Sequence, residues 1–171
     1  MKKVSRSASF KSRLMIANGA VLSKLVYLIT LWGGAKQYLL KALQVQQLTA
    51  ARTVVGFQSW RWSKARLLKR VGWMSVRQLI YFHPVLQAQK TLTTGVPRPL
   101  FSALSADHPY RTRSATSGNI RLEENGSTNT FKHRAMTYYI NVPASVKTGS
   151  LPTVKRKLTE WILQNVPLDW G

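Results

Sequence analysis

The first 106 residues contain no acidic side chain, although they hold 17 lysines and arginines. The other 65 residues hold nine basic side chains and all five acids, which are Asp107, Glu123, Glu124, Glu160 and Asp169. Charge of one sign destabilises a compact fold by self-repulsion, which a polyanionic partner relieves. A chain whose cations are only solvated faces would spread them more evenly. The distribution therefore favours nucleic acid as the partner.

Composition limits the remaining classes of protein. Hydrophobic residues make up 44% of the 171 residues, which is enough for a core, and the chain is too rich in Trp and Tyr for a disordered protein. The absence of cysteine excludes disulfides and thiolate zinc sites. The most apolar stretch, Leu25–Trp32, is too short to span a bilayer. We expect an intracellular protein, nuclear or cytoplasmic, and the basic, Ser-rich N-terminus only weakly indicates a mitochondrial address.

Hydrophobic periodicity predicts a mostly α fold. A first helix over 10–32 begins after the N-cap Ser9, contains Gly19, and ends at Gly33-Gly34. A second helix over 36–55 ends at Gly56, and the two should pack as a hairpin. Two further helices follow the N-caps Ser63 and Ser75, the first of them ending at Gly72. Pro84 is expected to kink or split the last of these near His83.

The character of the chain changes after this helical part. Residues 105–130 are rich in Ser, Thr, Asn, Gly and Arg, which is typical of a linker or extended arm. Residues 131–140 form a short predicted helix, and residues 151–166 contain a final amphipathic helix. We therefore predict a small basic helical bundle over 1–104, a partly extended arm over 105–130, and a C-terminal helical segment over 131–171.

No residue pattern in the chain indicates catalysis. Glu123 and Glu124 are adjacent and point apart on any regular element, and the histidines, His83, His108 and His133, lie 25 positions apart, with Asp107 beside His108 as their one adjacent carboxylate. The chain has no Gly-rich phosphate loop and no G-x-S-x-G elbow. We expect no catalytic residue, no metal site and no cofactor.

Basic residues interleaved with aromatic residues are the candidate binding site. The segment Trp60–Arg70 has two tryptophans and five cations, and a helix that starts after Ser63 would bring its later cations to one face. The alternative is that Trp60 and Trp62 anchor the core, and we expect this of at least one. The predicted nucleic-acid-binding residues are Lys11, Arg13, Arg52, Arg61, Lys64, Arg66, Lys69, Arg70, Arg77, Arg111 and Arg113.

A series of short motifs follows one another along nearly the whole chain. They are Ser23–Tyr27, Leu31–Ala35, Leu43–Gln47 with Ala51-Arg52, Leu67-Leu68, Val71–Leu79, Lys90, Tyr110–Ala115, Phe131–Ala135, Tyr139–Pro143 and Leu151–Leu158. In this order they resemble the region after the palm in non-LTR retrotransposon reverse transcriptases. Each motif alone is weak, and the ordered set is fairly specific.

The resemblance implies a helical thumb that grips a template–primer duplex, with RNA, RNA/DNA hybrid or DNA backbone as ligands. It also implies that the palm aspartates and the endonuclease of such a polymerase are missing, so the chain would be a non-catalytic part of a transposable element. Pro84 departs from the family pattern, as in a decayed or repurposed copy.

Three other roles remain open. The chain could be a basic structural component of a ribonucleoprotein complex, or an enzyme subunit that acts only with a palm-containing polymerase chain. A membrane-surface role through the last helix is the most remote of the three, and we expect no membrane partner.

Overall fold

Helices make up most of the described chain. The computed structural model describes residues 8–27, 29–98 and 130–170, and within these ranges it contains no strand. The predicted mostly α fold is confirmed. The helices are α1 (Phe10–Ala17), α2 (Ser23–Val26), α3 (Ile29–Trp32), α4 (Gln37–Val55), α5 (Lys64–Val71), α6 (Val76–Thr94), α7 (Phe131–Asn141), α8 (Ala144–Lys147) and α9 (Leu151–Asn165). A π-helical segment, Asn18–Leu22, and a 3₁₀ turn, Phe57–Arg61, complete the set.

The predicted helix starts are confirmed by their hydrogen bonds. The Ser9 hydroxyl accepts from the Ser12 amide at 3.2 Å, and the Ser63 hydroxyl accepts from the Arg66 amide at 3.3 Å. Ser75 and Gln78 form a reciprocal capping box, in which each side chain accepts from the backbone N–H of the other. Gly72 ends α5 in the left-handed conformation, with φ 71°. These short polar residues therefore set where the helices begin and end.

The predicted continuous helix over 10–32 is wrong. The chain passes from α1 into the π-helical segment at Asn18, and the Ser23 hydroxyl donates to the Gly19 carbonyl within it. Tyr27 then adopts an extended conformation, with ψ 123°, and ends α2. The Trp32 indole N–H donates to the Tyr27 carbonyl at 3.1 Å and so satisfies an acceptor that the broken helix leaves open. Side-chain bonds of this kind make the interruption stable.

Pro84, which the sequence predicts to kink or split its helix, does not split it. α6 runs through Pro84 to Thr94. A proline lacks the N–H that would bond the carbonyl four residues earlier, here that of Ile80. The Pro84 side chain is less than 2% exposed, so apolar burial offsets this missing hydrogen bond.

The chain divides into two compact units, which are described separately. The first unit runs up to Ile80 and includes the chain from Val166, while the second spans Tyr81–Asn165. The predicted three-part division stays a prediction, because most of its arm lies outside the described residues. In the first unit α4 contacts both α1 and α5. Their shared core comprises Ala17, Leu48, Ala50, Ala51, Val54, Leu67, Leu68, Val71 and Trp73.

Buried amides fix the connection between α5 and α6. Gln47 donates to the Met74 carbonyl at 2.8 Å, and the Gln44 amide oxygen accepts from the Val76 amide at 2.7 Å. Gln78 donates to the Val166 carbonyl at 3.1 Å, which holds the C-terminal residues on the first unit. All three glutamines are at most 4% exposed. Each satisfies a buried backbone group, so these glutamines are structural.

The second unit packs α6 residues against α7, and α8 against α9. Tyr81 stacks on Tyr138 with ring centroids 4.0 Å apart, and the Tyr139 hydroxyl donates to Gln89 at 2.8 Å. The sequence predicts an apolar face of the last helix from Val154, Leu158, Trp161 and Ile162; three of these side chains are buried, and Trp161 is half-buried.

Candidate nucleic-acid interface

The 3₁₀ turn after α4 is held by hydrogen bonds and carries Trp60, an aromatic residue of the candidate site. Gly56 ends α4 with φ 101° and ψ −171°, a conformation that side-chain-bearing residues rarely adopt. Ser59 is fully buried, and its hydroxyl donates to the Gly56 carbonyl at 2.6 Å and faces the Arg52 carbonyl at 3.3 Å. These bonds tie the Phe57–Arg61 turn to the end of α4.

The short helix α5 separates its apolar residues from its cations. Leu67, Leu68 and Val71 are buried in the core of the first unit. The cations Arg66, Lys69 and Arg70 are exposed and lie at spacings of three and four, so they share the outer face of the helix. The predicted basic face of α5 is therefore present in the fold.

Three guanidinium groups lie over aromatic rings in the first unit. The Arg66 guanidinium carbon is 4.3 Å from the ring centroid of Trp62, and that of Arg70 is 4.8 Å from Phe10. The Arg52 guanidinium carbon lies 5.6 Å from the ring of Trp60. We call these three pairs the guanidinium–aromatic cluster. Such pairs are attracted electrostatically and leave N–H groups at the guanidinium edge for phosphate oxygens.

Neither tryptophan of the predicted segment is a buried core anchor. Trp60 is 65% exposed, and Trp62 is half-buried beside Arg66. The expectation that at least one of them belongs to the core is wrong. Trp73 fills that role, since it is 5% exposed and its indole N–H donates to Asn18 at 2.8 Å.

The remaining predicted cations of the first unit differ in how accessible they are. Lys11 and Arg61 are exposed, whereas Arg13 and Arg52 are half-buried. Arg13 lies close to the turn, with its Nη1 atom 3.6 Å from the position of a Cβ added to Gly56. The last two predicted site residues, Arg111 and Arg113, lie outside the described residues.

Lys64 and Arg77 both bind Asp169 near the C-terminus, an interaction that the sequence did not predict. The Lys64 ammonium lies 2.7 Å from the Asp169 carboxylate, and Arg77 donates to the backbone carbonyl of the same residue. Leu168 packs against the core of the first unit. Asp169 is the one acidic residue that the sequence contributes to this unit. Two of the predicted nucleic-acid-binding cations, Lys64 and Arg77, thus already bind a group of the protein itself.

An open cavity of about 330 Å³ lies beside this ion pair. Two lysines and the indole of Trp170 contribute to its wall. Its lining residues are Lys41, Gln44, Val45, Leu48, Lys64, Asp169 and Trp170. Gln44 is held by its bonds to Gln47 and Val76, so its position in the wall is fixed by the core.

The part of the chain that the structure describes holds no group of three or more His, Asp or Glu side chains arranged for a metal ion. None of the described helices combines the length and apolar character needed to cross a membrane. Comparison with protein families, with curated proteins and with solved structures gave no match.

Proposed function

We propose that this chain binds the phosphate backbone of RNA, RNA/DNA hybrid or DNA without sequence specificity and without catalysis. The observation that carries the proposal is the guanidinium–aromatic cluster, together with the exposed cations of α5, on a unit whose sequence holds 15 basic residues and one acid. Phosphate contacts position a duplex but carry no sequence information. A ring-supported guanidinium is suited to such contacts because it retains its planar set of donors.

The family resemblance specifies which part of a larger polymerase this chain would be. The chain would be the thumb-like helical bundle, followed by an arm and a C-terminal helical segment, of a non-LTR retrotransposon reverse transcriptase. It would grip a duplex on which a palm-containing polymerase chain acts, in the nucleus or cytoplasm and without a membrane partner. Its lack of catalysis follows from the absence of any carboxylate before Asp107, since two-metal polymerisation needs paired acidic ligands.

Salt dependence of binding tests the proposal. If about 6 to 10 phosphates are neutralised, affinity for RNA and for hybrid duplex should fall roughly 10³- to 10⁵-fold between about 50 and 200 mM salt. Replacing both Arg66 and Arg70 by alanine should weaken binding similarly for all sequences and make the salt dependence shallower by about one unit per lost contact. The matched control is Lys155→Ala with Arg156→Ala, which removes two exposed cations from α9.

Two results would contradict the proposal. A flat salt response, or no binding at low salt, would remove nucleic-acid backbone as the ligand. Equal loss of affinity in the α5 double variant and the α9 double variant would show that only net charge matters and that the guanidinium–aromatic cluster is not the interface.

A further inference from the structure

We propose that the exposed indole of Trp60 is a stacking site for an unpaired nucleobase, which makes single-stranded nucleic acid or a strand overhang a preferred ligand. This inference rests on the proposed function and specifies its ligand. Trp60 is 65% exposed, although the same unit buries Trp73 in its core. Tryptophan is enriched at binding surfaces relative to the rest of a protein's surface. Its surroundings indicate which ligand would cover it.

Trp60 is held in position before any ligand arrives. It follows Ser59, whose side chain is fully buried and bonded to the end of α4. Trp62 closes the turn by donating its backbone N–H to the Ser59 carbonyl at 3.1 Å. Because the backbone on both sides of Trp60 is fixed, stacking on its indole costs less conformational entropy than stacking on a mobile loop would cost.

Charge around Trp60 selects an anionic ligand. The Arg52 guanidinium lies over its ring, and Arg61 follows it in the turn and is exposed. The Arg52 Nε atom is buried and has no hydrogen-bond partner among the described residues, so the guanidinium is positioned mainly by packing. A nucleotide offers what this arrangement complements, namely a flat base for the indole and a phosphate for the adjacent guanidinium groups.

Stacking on Trp60 distinguishes unpaired bases from paired ones. Away from the ends of a duplex both faces of each base are already stacked on neighbours, so no face is available to the indole. An unpaired base offers one without unstacking, and base–aromatic stacking contributes to binding with little regard to sequence. The cations of α5 should therefore bind either ligand, while Trp60 should add affinity for an unpaired strand.

A substitution series on strands of matched length tests this site. Trp60→Ala should weaken binding to a short single-stranded RNA about 5- to 150-fold. Its effect on a long blunt-ended hybrid duplex should be clearly smaller, because only the support that the ring gives to Arg52 is lost there. Trp60→Phe should restore most of the lost affinity. An abasic strand should lose no more affinity on Trp60→Ala than the duplex does, since it has no base to stack.

Tyr38 provides the matched control. Its side chain is also 65% exposed, and it lies on the same helix as Arg52 but 14 residues earlier, about 21 Å along the axis. Tyr38→Ala should leave the affinity for every strand within about twofold. Equal losses in Tyr38→Ala and Trp60→Ala would overturn the assignment of a specific site.

The outcomes separate this inference from the proposed function. Salt-dependent binding that is unchanged by Trp60→Ala on single strands overturns the stacking site and leaves backbone binding intact. Equal losses on the single strand and the blunt duplex also overturn it, because Trp60 would then act by orienting Arg52. Failure of the unsubstituted chain to bind any strand at low salt overturns the proposed function and this site with it.

Discussion

An arginine that lies on an aromatic ring has fewer conformations to lose when it binds a phosphate. Arg66 on Trp62 and Arg70 on Phe10 are placed in this way, at 4.3 and 4.8 Å from the ring centroids. Exposed lysines such as Lys69 must instead be ordered by the ligand, and ordering a long side chain costs roughly 0.5–1.5 kcal/mol. At the residue scale, the arginines should therefore contribute more to binding than the lysines beside them.

Gly56 is the residue on which the geometry of the turn depends. Its φ of 101° and ψ of −171° lie in a region essentially restricted to glycine, so Gly56→Ala should lower the free energy of unfolding by about 1–3 kcal/mol. Gly19→Ala is the control, because its Cβ would meet no atom within 4 Å and alanine favours helix by up to about 1 kcal/mol. Urea unfolding measures both. A Gly56→Ala variant as stable as the unsubstituted chain would refute this.

His83 gives helix α6 a pH-dependent stability. Burial, and then the positive charge of Lys155, lower the pKa of His83 below its ordinary value of 6.5. The unfolded chain therefore takes up a proton before the folded chain does, and the free energy of unfolding falls as the pH drops from about 6.5 through the lower pKa of the folded state. Well above pH 6.5 the group is neutral in both states and has no effect.

Unfolding of His83→Gln between about pH 7 and pH 5 tests this. The substitution should remove part of the loss of stability that the unsubstituted chain shows on acidification. Lys155→Gln should reduce the same loss by a smaller amount, because it removes the second cause and leaves burial in place. Unchanged pH dependence in His83→Gln would show that other groups account for the effect.

Local signals predicted helix ends well, and tertiary contacts decided the rest. Ser9, Ser63, Ser75 and Gly72 mark helix ends because capping depends on the residue and its immediate neighbours. The fate of Pro84 depends on how fully its ring is buried, which no short segment of sequence reveals. The same limit explains the wrong prediction of a continuous helix over 10–32.

The sequence predicted which cations share the face of α5, but it did not predict which aromatic rings the arginines contact. The basic face of α5 follows from helical spacing, so Arg66, Lys69 and Arg70 were correctly placed together. Phe10 is 60 positions from Arg70, and only the packing of α1 on the rest of the first unit brings them into contact. Trp60 and Trp62 are large and apolar, as core residues usually are. The turn that Ser59 fixes nevertheless leaves Trp60 exposed and Trp62 half-buried.

The basic first unit contains one acidic residue, Asp169, which pairs with Lys64. The net charge is +21, and the C-terminal residues bring Asp169 to Lys64 and Arg77. Side chains of the ion pair are 53% and 44% exposed, so solvent screens it and its contribution is about 0.2–1 kcal/mol. An anionic ligand that competes for Lys64 must displace this carboxylate.

Asp169→Asn should therefore increase nucleic-acid affinity about 1.4- to 5-fold, because Lys64 becomes available while the backbone carbonyl that accepts from Arg77 is retained. The salt dependence should also steepen by about 0.9 if one further phosphate is contacted. Glu160→Gln is the matched control, since it too removes one negative charge from an exposed ion pair, that with Arg156 at 3.2 Å on α9. Titrations of both variants against one hybrid duplex measure the difference. Equal gains would mean that net charge alone sets the affinity, whereas a larger gain in Asp169→Asn identifies Lys64 as a cation that the C-terminal residues and the nucleic acid share.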